Sequence, residues 1–260
     1  MPFKLILQLS VRNLFRYPRR NGLLLVAIAF ALAGATLTNS LMRGWQYDML
    51  DRAVENLVGH VKVQASEYRD DPNMAHSFVL PANYEPEISG AEVAGWAPRI
   101  KVPAVILSER QSRGVQLVGI DPARENISFF SELVFAGETL ADKDDGRIVI
   151  GAELARQLQT AVGRKLVVLS QGADGKNRER GFRIAGTFDA DGTSLEKAFA
   201  FTGLTSTQAF LGDRSSDSPR PLVTEVSVLL ADELRRNDAV TELRAAFPDK
   251  AVADWRALQP

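Results

Sequence analysis

Few side chains in this 260-residue sequence are of the types that catalysis or metal binding requires. The chain has no cysteine and only two histidines, His60 and His76, which excludes thiol catalysis and zinc sites of the usual composition. His60 follows a glycine at the start of a predicted strand, and His76 lies in a polar loop, so both are more typical of structural or surface histidines than of bases or ligands. We therefore expect no enzyme activity, no catalytic residue, and no metal or cofactor site in this chain.

Two acidic clusters and one glycine-rich segment have some residues of a ligand site but not its spacing. The pair Asp70-Asp71 and the group Asp142, Asp144 and Asp145 lack the alternation and the terminal glutamate of a calcium loop. The segment GADGK at 172–176 has the wrong glycine spacing for a phosphate loop, and no Ser or Thr follows its lysine. Solvated turns account for all three.

One charged cluster remains as a candidate for partner contact. The segment from Gly172 to Gly181 is predicted to be a polar hairpin loop between two strands, and loops on a rigid scaffold often carry function. The alternative is a tip that its charges keep soluble. The residues of this candidate partner-binding loop are Lys176, Arg178, Glu179 and Arg180.

An uncharged run at residues 21–42, flanked by Arg19, Arg20 and Arg43, sets the organisation of the chain. At about 1.5 Å per residue the run is roughly 33 Å long, which is enough to cross a hydrocarbon core of about 30 Å. The alternative is a cleaved secretory signal, because Ala31–Ala33 is an A-x-A-like site. The long basic leader and the continuation of the apolar run past Ala33 favour a retained transmembrane helix.

The charges around the span predict its orientation. The first twenty residues contain five basic residues and no Asp or Glu, so the positive-inside rule places the N-terminus in the cytoplasm and the rest of the chain outside it. Polar residues recur every four positions in this leader, at Lys4, Gln8, Arg12 and Arg16, which predicts an amphipathic helix over 1–20 in the membrane interface. The residues expected at the interface are Lys4, Arg12, Arg16, Arg19, Arg20, Trp45 and Tyr47.

Small residues inside the span permit close packing against other membrane helices, although ordinary composition explains them equally well. They are Ala27, Ala31, Gly34 and Ala35. Residues 21–260 contain six more acidic than basic groups, which makes the outer domain a poor binder of nucleic acid.

The sequence after the span predicts an α+β domain, because short strands and helices follow one another in irregular order. Residues 43–58 keep helical spacing and predict a stalk that continues the membrane helix and ends at Gly59. Helices are predicted after Asp121, Gly151 and Asp232, with a short one at 84–88. Strands are predicted near 60–65, 102–107, 115–120, 147–150, 166–169, 182–188, 198–201, 223–230 and 252–255, with a linker at 212–221.

Five segments, taken in order along the chain, resemble FtsX/MacB-type ABC transporter permeases, a group whose relatives include the lipoprotein-releasing permeases LolC and LolE. The resemblance covers essentially the whole chain and lies in the ordered set, not in any one motif. The segments are RNLFR at 12–16, GHV at 59–61, GIDP at 119–122, VIGAELA at 149–155 and FRIAGTF at 182–188.

This resemblance implies a MacB-like periplasmic core domain behind one N-terminal transmembrane helix. The implied parts are a cytoplasmic amphipathic helix at 1–20, a transmembrane helix at 21–42, a porter-like α+β subdomain with its stalk at 43–104 and 222–260, and an inserted mostly-β subdomain at 105–221. Such a protein lies in the bacterial inner membrane, with its main domain in the periplasm.

The resemblance also implies a function, which is to couple ATP hydrolysis to periplasmic work such as lipoprotein release or efflux, by mechanotransmission. The implied partners are membrane lipid, a cytoplasmic ABC ATPase subunit that binds the ATP, a second permease copy or paralogue, and a periplasmic protein or lipoprotein. Family permeases have three more spans, whereas this sequence stops at Pro260. Two alternatives therefore stay open: a truncated permease, and a stand-alone membrane-anchored binding or assembly module without ATP coupling.

The segment GADGKNRERG at 172–181 is short beside the hairpin with which LolC grips its carrier, and this favours a less specialised member of the family.

Overall fold

The computed structural model describes residues 17–55, 59–81, 84–88, 92–190, 193–212 and 222–254. The chain divides into two compact units, Met1–Ala53 and Val54–Pro260. One apolar N-terminal helix and a mixed domain of helices and strands confirm the predicted α+β class. The predicted leader helix, with Lys4, Arg12 and Arg16, lies outside the described residues.

Helix α1 (Pro18–Glu55) is a single helix of 38 residues. Pro18 occupies its first turn, where the missing N–H of proline removes no intrahelical hydrogen bond. The helix continues without a break through the residues predicted as a stalk, so the continuity of span and stalk is confirmed up to Glu55. Gly59, the predicted end of the stalk, has a positive φ of 61°, and a Cβ there would lie 2.8 Å from the carbonyl oxygen of Val228.

The second unit contains twelve described strands, five short 3-10 helices and four further α-helices. The strands are β1 (Val61–Ala65), β2 (Phe78–Val79), β3 (Val93–Leu107), β4 (Ser112–Ile120), β5 (Val134–Gly137), β6 (Ile148–Gly151), β7 (Lys165–Gln171), β8 (Asn177–Asp189), β9 (Phe199–Gly203), β10 (Leu222–Val223), β11 (Glu225–Leu230) and β12 (Lys250–Asp254). The α-helices are α2 (Ala152–Gln157), α3 (Leu195–Ala198), α4 (Leu204–Leu211) and α5 (Arg236–Ala246). The 3-10 helices are Ser66–Arg69, Met74–His76, Pro122–Ile127, Phe129–Glu132 and Glu233–Arg235.

Ten strands form one sheet, in the order β12-β1-β11-β3-β4-β9-β6-β8-β5 with β7 between β3 and β8. Because β7 pairs with both β3 and β8, the six strands β3, β4, β9, β6, β8 and β7 close into a barrel. Strand β3 belongs to two parts of the sheet. Its residues 93–99 pair with β11, and its residues 100–107 pair with β4 in the barrel.

Alternating side chains fill the barrel, as expected for a small closed sheet. On β3 the inward residues are Ile100, Val102, Ala104 and Ile106, which are at most 6% exposed. A second apolar layer lies outside the barrel around Phe201, and its members include Val118, Ile120, Phe129, Phe130, Val149 and Phe188.

The four antiparallel strands β12-β1-β11-β3 form the second part of the sheet, and α5 covers one of its faces. That face is apolar, with Val61 and Val226 packed in the same cluster as Ala239 and Leu243 of α5. The opposite face is polar and is described with the candidate site.

Three secondary-structure predictions are corrected. Residues 84–88 form no helix, because Pro86 lacks a hydrogen-bond donor and Tyr84 packs on Trp96 at a centroid distance of 5.6 Å. Strand β3 begins at Val93 instead of residue 102, since Pro98 and Pro103 conceal the strand in the sequence. It therefore runs through the predicted subdomain boundary at 104/105, although the boundary itself stays a prediction.

The third correction concerns the predicted loop 172–181. Residues 177–181 are paired in strand β8, and only the turn at 172–176 is loop. Gly175 supplies the positive φ of 74° that this tight turn requires.

Candidate membrane, junction and partner surfaces

The predicted membrane span coincides with a helix that is long and apolar enough to cross a bilayer, Pro18–Ser40, of which the apolar window is not buried inside the protein. At its start the Arg20 guanidinium lies 5.3 Å from the ring centre of Tyr17, and both Arg19 and Arg20 are exposed. The interface role of these two arginines stays a prediction. Trp45 and Tyr47 lie on the same continuous helix, and their side chains lie outside the described residues.

The predicted helix-packing residues of the span are Ala27, Ala31, Gly34 and Ala35, and all four are exposed. The hydroxyl of Thr38 donates to the carbonyl oxygen of Gly34 over 2.9 Å, and that of Thr36 donates to the carbonyl oxygen of Leu32. These bonds satisfy the two threonine hydroxyls within the helix itself. Whether another helix packs there stays a prediction.

Five ionisable side chains meet where β3 passes from the four-stranded sheet into the barrel, and we call this group the junction. It consists of Lys62, Arg99, Lys101, Glu125 and Glu225. Arg99 is 0% exposed and both glutamates are 1% exposed. Arg99 forms a two-pronged ion pair with Glu125, with Nε–Oε1 at 2.7 Å and Nη2–Oε2 at 2.8 Å. Lys62 Nζ donates to Glu225 Oε2 over 3.0 Å.

Hydroxyl groups complete the junction. Ser128 donates to Glu125 Oε2 over 2.5 Å, and Arg99 Nη1 donates to Ser227 Oγ over 3.2 Å. Thr224 Oγ1 accepts from the backbone N–H of Lys101 over 2.8 Å, and the Tyr68 hydroxyl donates to the carbonyl oxygen of Lys101. The network therefore ties β1, β11 and β3 to the 3-10 helix Pro122–Ile127, which Asp121 caps as predicted.

Burial and charge act against each other on the pKa values of the junction. Burial alone would raise the pKa of Glu225, but the charges of Lys62, Lys101 and Arg99 outweigh it and lower the pKa to about 2. Burial lowers the pKa of Lys101, and its neighbours Lys62 and Arg99 lower it further against the pull of Glu225. The charges of Glu125 and Glu225 raise the pKa of Arg99 in spite of its burial.

The junction contains three cations and two carboxylates, and it has the character of a structural brace. Four of its groups, Lys62, Arg99, Glu125 and Glu225, are buried and Lys101 is partly exposed. Removal of either partner of a buried ion pair is strongly destabilising because the other charge is left uncompensated. Such a network favours one relative position of the four-stranded sheet and the barrel over others.

The candidate partner-binding residues fall into two sets. Arg178 donates to the carbonyl oxygens of Phe210 and Gly212 at 3.2 and 2.5 Å, and Arg180 donates to that of Ser206 over 2.9 Å. Both arginines therefore tie the β7–β8 hairpin to α4 and its end. Lys176, in the turn, and Glu179, on the outer side of β8, are exposed and remain candidates for partner contact.

Both histidines contact neighbouring polar groups of the fold. Nδ1 of His60 accepts from the backbone N–H of Leu230 over 3.1 Å, and Nε2 of His76 lies 3.2 Å from a carboxylate oxygen of Asp71. No group of three or more possible metal ligands occurs within the described part of the chain.

The acidic loop before β6 is held by an arginine. Hydrogen bonds from Arg147 are the main cause that lowers the pKa of Asp145 to about 2, and Arg147 Nη1 also reaches Glu138 Oε2 at 2.5 Å. Asp145 thus closes a turn, but the prediction of a solvated turn is wrong for this residue, because its side chain is only 7% exposed.

Sequence reasoning missed the junction altogether. Its residues lie far apart along the chain, from Lys62 to Glu225, so no local motif contains them. One signal was present: Glu225 and Ser227 alternate with Val226 and Val228 in a predicted strand, which indicates a polar face. Alternation cannot show that this face is buried, because the segment that covers it is remote in sequence.

A comparison with known families matches residues 22–246 to the MacB-like periplasmic core domain. A comparison with curated proteins gave no match.

Two solved structures are similar to the chain. The extracellular domain of the ABC-type transporter YknZ from Gram-positive bacteria is 14% identical, with 75% of this chain and 98% of that one covered and a TM-score of 0.48. The periplasmic region of MacB from Actinobacillus actinomycetemcomitans is 10% identical, with 78% and 92% covered and a TM-score of 0.47. Because both TM-scores are below 0.5, the family membership of this chain rests on the family match over residues 22–246.

Proposed function

The chain belongs to the family of MacB-like periplasmic core domains, and we propose that it is the first transmembrane helix and the outer domain of a permease subunit of an FtsX/MacB-type ABC transporter. In this proposal a separate cytoplasmic ATPase subunit binds ATP. Its hydrolysis is coupled through the membrane to work outside it, such as lipoprotein release or efflux. The alternative is a membrane-anchored binding or assembly module that acts without ATP.

One observation carries the proposal. The family match begins at residue 22, inside α1, and extends to residue 246, at the end of α5. The unit that matches thus includes most of the candidate span Pro18–Ser40 together with the folded domain. A continuous helix that extends from the candidate span to Glu55 is what a transmitter of movement requires.

The path of the chain supports mechanical transmission. At about 1.5 Å per residue, the 38 residues of α1 form a rod of roughly 57 Å, so about 27 Å remain after a bilayer core of about 30 Å is crossed. After residues 56–58 the chain enters β1, which pairs with β12 and β11 in the four-stranded sheet. The buried junction then joins this sheet to the barrel, so a displacement of β1 is passed to the barrel and is not absorbed by a loose hinge.

Orientation, location and partners follow from the same proposal. The basic start of the chain predicts a cytoplasmic N-terminus, which places the domain outside the inner membrane. The small residues of the span offer a packing surface to a second permease copy or a paralogue. Lys176 and Glu179 are available to a periplasmic protein or lipoprotein. We propose no catalytic turnover by this chain.

The test is whether the chain is part of an assembly that hydrolyses ATP. The assembly is isolated intact from native membranes through a tag on this chain, and ATP hydrolysis is measured in lipid nanodiscs. The permease proposal predicts ATP hydrolysis and an ATP-binding subunit in the isolated complex. An isolated complex without either contradicts it and favours the stand-alone module.

Sequencing the gene beyond the codon for Pro260 gives an independent answer. Three further apolar segments in frame support the permease, and a stop codon supports the module.

A further inference from the structure

The outer side of four barrel strands, β4-β3-β7-β8, carries an apolar surface, and Glu179, one of the candidate partner-binding residues, borders it opposite Leu169. We call this apolar surface the outer sheet face. Its apolar side chains lie side by side on β3 and β7, and Val105 and Val167 are 43% and 38% exposed. They are Pro103, Val105 and Leu107 on β3, and Val167 and Leu169 on β7, in cross-strand contact through the pairs Val105–Leu169 and Leu107–Val167.

This face has a depression beside Leu169. It contains an open groove of about 860 Å³ whose floor includes Pro103, Val105 and Leu169. Uncharged polar residues line the groove beside them, namely Ser112, Gln116, Gln171 and Asn177. An apolar floor with a polar rim is the usual composition of a surface that a partner covers.

Two glycines border the apolar side chains, and the space beside both is open. Gly114 of β4 lies opposite Val105, and Gly181 of β8 lies opposite Val167. Neither has a positive φ, and a Cβ at either position would meet nothing within 4 Å. Glycine inside a strand costs about 0.5–1 kcal/mol, and it often marks a place where another backbone approaches closely.

One end of the face is basic. Lys165 and Arg183 are directly opposite each other on β7 and β8, with Arg164 next to them in sequence, and Arg110 lies in the β3–β4 turn near the same end. All four are exposed, and within the described residues none is ion-paired with a carboxylate. Two exposed acidic residues lie nearby, Glu109 in the same turn as Arg110 and Glu179 opposite Leu169, and Arg183 Nη1 donates to the carbonyl oxygen of Gly163 over 2.8 Å. A pair of opposed cations is unfavourable without a partner, whereas the outer domain as a whole is acidic.

We propose that the outer sheet face binds an amphipathic helix of a partner protein, with the acidic end of that helix against Lys165 and Arg183. The two apolar strands β3 and β7 are one strand spacing apart, about 4.8 Å, and a helix with its side chains is about 10–12 Å wide, so a helix centred on them extends towards β4 and β8. The two glycine positions leave room for its flanks. The apolar stripe from Pro103 to Leu107 is about 13 Å long, which matches two to three helical turns.

The charges fix the direction of the helix. A helix C-terminus carries a partial negative charge, to which acidic side chains in the last turns add, and cations stabilise it there. The C-terminal end of the bound helix therefore lies at Lys165 and Arg183, and its apolar residues at intervals of three and four rest on Val105 and Leu169. The proposal does not depend on ATP coupling, because the stand-alone module has the same face.

The experiment places the photo-cross-linker p-benzoyl-phenylalanine at position 105 of the full chain, in cells that express the gene. The matched control has it at position 134, because Val134 is also a strand valine and is 73% exposed, on β5. We expect an adduct at position 105 and none at 134. Tandem mass spectrometry should assign the adduct to a protein segment with helical apolar spacing and acidic residues at its C-terminal end.

Charge reversal then tests the basic end. The double substitution Lys165→Glu and Arg183→Glu should reduce the adduct about tenfold, because a complementary rim then repels its partner. Gly114→Val should reduce it as well by filling the flank. Both changes lie on the surface, and an unaltered thermal midpoint shows that the fold is kept.

Four results overturn the proposal: no adduct at position 105, equal adducts at 105 and 134, an adduct with phospholipid or a second copy of this chain, or an adduct that charge reversal leaves unchanged.

Discussion

Replacing Arg99 with methionine removes the central cation of the junction while keeping an unbranched side chain of similar length. Arg99 is fully buried and holds Glu125 through two short bonds. In this variant Glu125 still accepts a hydrogen bond from the Ser128 hydroxyl but loses its ion pair, whereas Glu225 retains its ion pair with Lys62. Breaking a buried ion pair from one side costs about 3–5 kcal/mol, so we expect Arg99→Met to lower the free energy of unfolding by about 4 kcal/mol.

The assay is urea unfolding of the full chain in detergent, followed by tryptophan fluorescence. Trp96 is a suitable reporter, because it lies on β3, the strand that carries Arg99. Its ring centre is 4.1 Å from the Arg124 guanidinium. The double variant Arg99→Met with Glu125→Leu is the matched control. It leaves no orphan carboxylate at position 125, and we expect it to recover at least half of the lost stability.

Two results would refute this reasoning. One is a loss of less than about 1 kcal/mol in Arg99→Met, which is the range of an exposed ion pair. The other is a double variant whose loss of unfolding free energy equals the sum of the losses in the two single variants, because the losses add at independent sites and do not add at coupled sites.

Four further predictions concern other parts of the chain. The pKa of Glu225 in the folded state is about 2, below its ordinary value of 4.5. The ionised Glu225 therefore stabilises the fold by about 3 kcal/mol above pH 4.5, and this stabilisation is lost as the pH falls towards 2. Glu225→Gln should make the acid unfolding curve less steep over this range. Gly151→Ala should lower the urea midpoint, since its Cβ would lie 2.0 Å from a backbone carbonyl oxygen of α3. Arg180→Ala should cost about 1–2 kcal/mol in the same assay by freeing a buried acceptor, whereas Lys176→Ala should cost almost nothing. Ala31→Arg should prevent retention in membranes after alkaline washing, because a charge at mid-membrane costs about 3 kcal/mol; full retention would contradict the anchor.

Local patterns predicted the elements whose cause is local. The uncharged run predicted α1, Asp121 and Pro122 predicted the capped turn that follows β4, and Gly151 predicted the start of α2. In each case the deciding residues lie within a few positions of the element that they determine.

The errors have non-local causes. Tyr84 is fixed by the rings of Trp96 and Phe247, which no helix propensity can anticipate. Arg178 and Arg180 look like solvated charges in the sequence, yet pairing of β8 with β7 turns them towards the carbonyl oxygens around α4. The same applies to the closed barrel, which exists because β7 pairs with the distant strand β3.

The candidate surfaces likewise divide into those with local causes and those with non-local causes. The long apolar helix α1 could be predicted, because its length and composition belong to one continuous segment. The junction and the outer sheet face could not, since Arg99 meets Glu225, and Val105 meets Leu169, only after the strands have paired.

Hydrogen–deuterium exchange of the outer domain, compared in ATP and in ADP, tests the central claim most directly. The assembly is isolated from native membranes, and nucleotide is added while exchange is followed by mass spectrometry over residues 59–254. Coupling across the membrane predicts a change in exchange when ATP replaces ADP. Identical exchange at every peptide, while ATP is hydrolysed, would contradict the account.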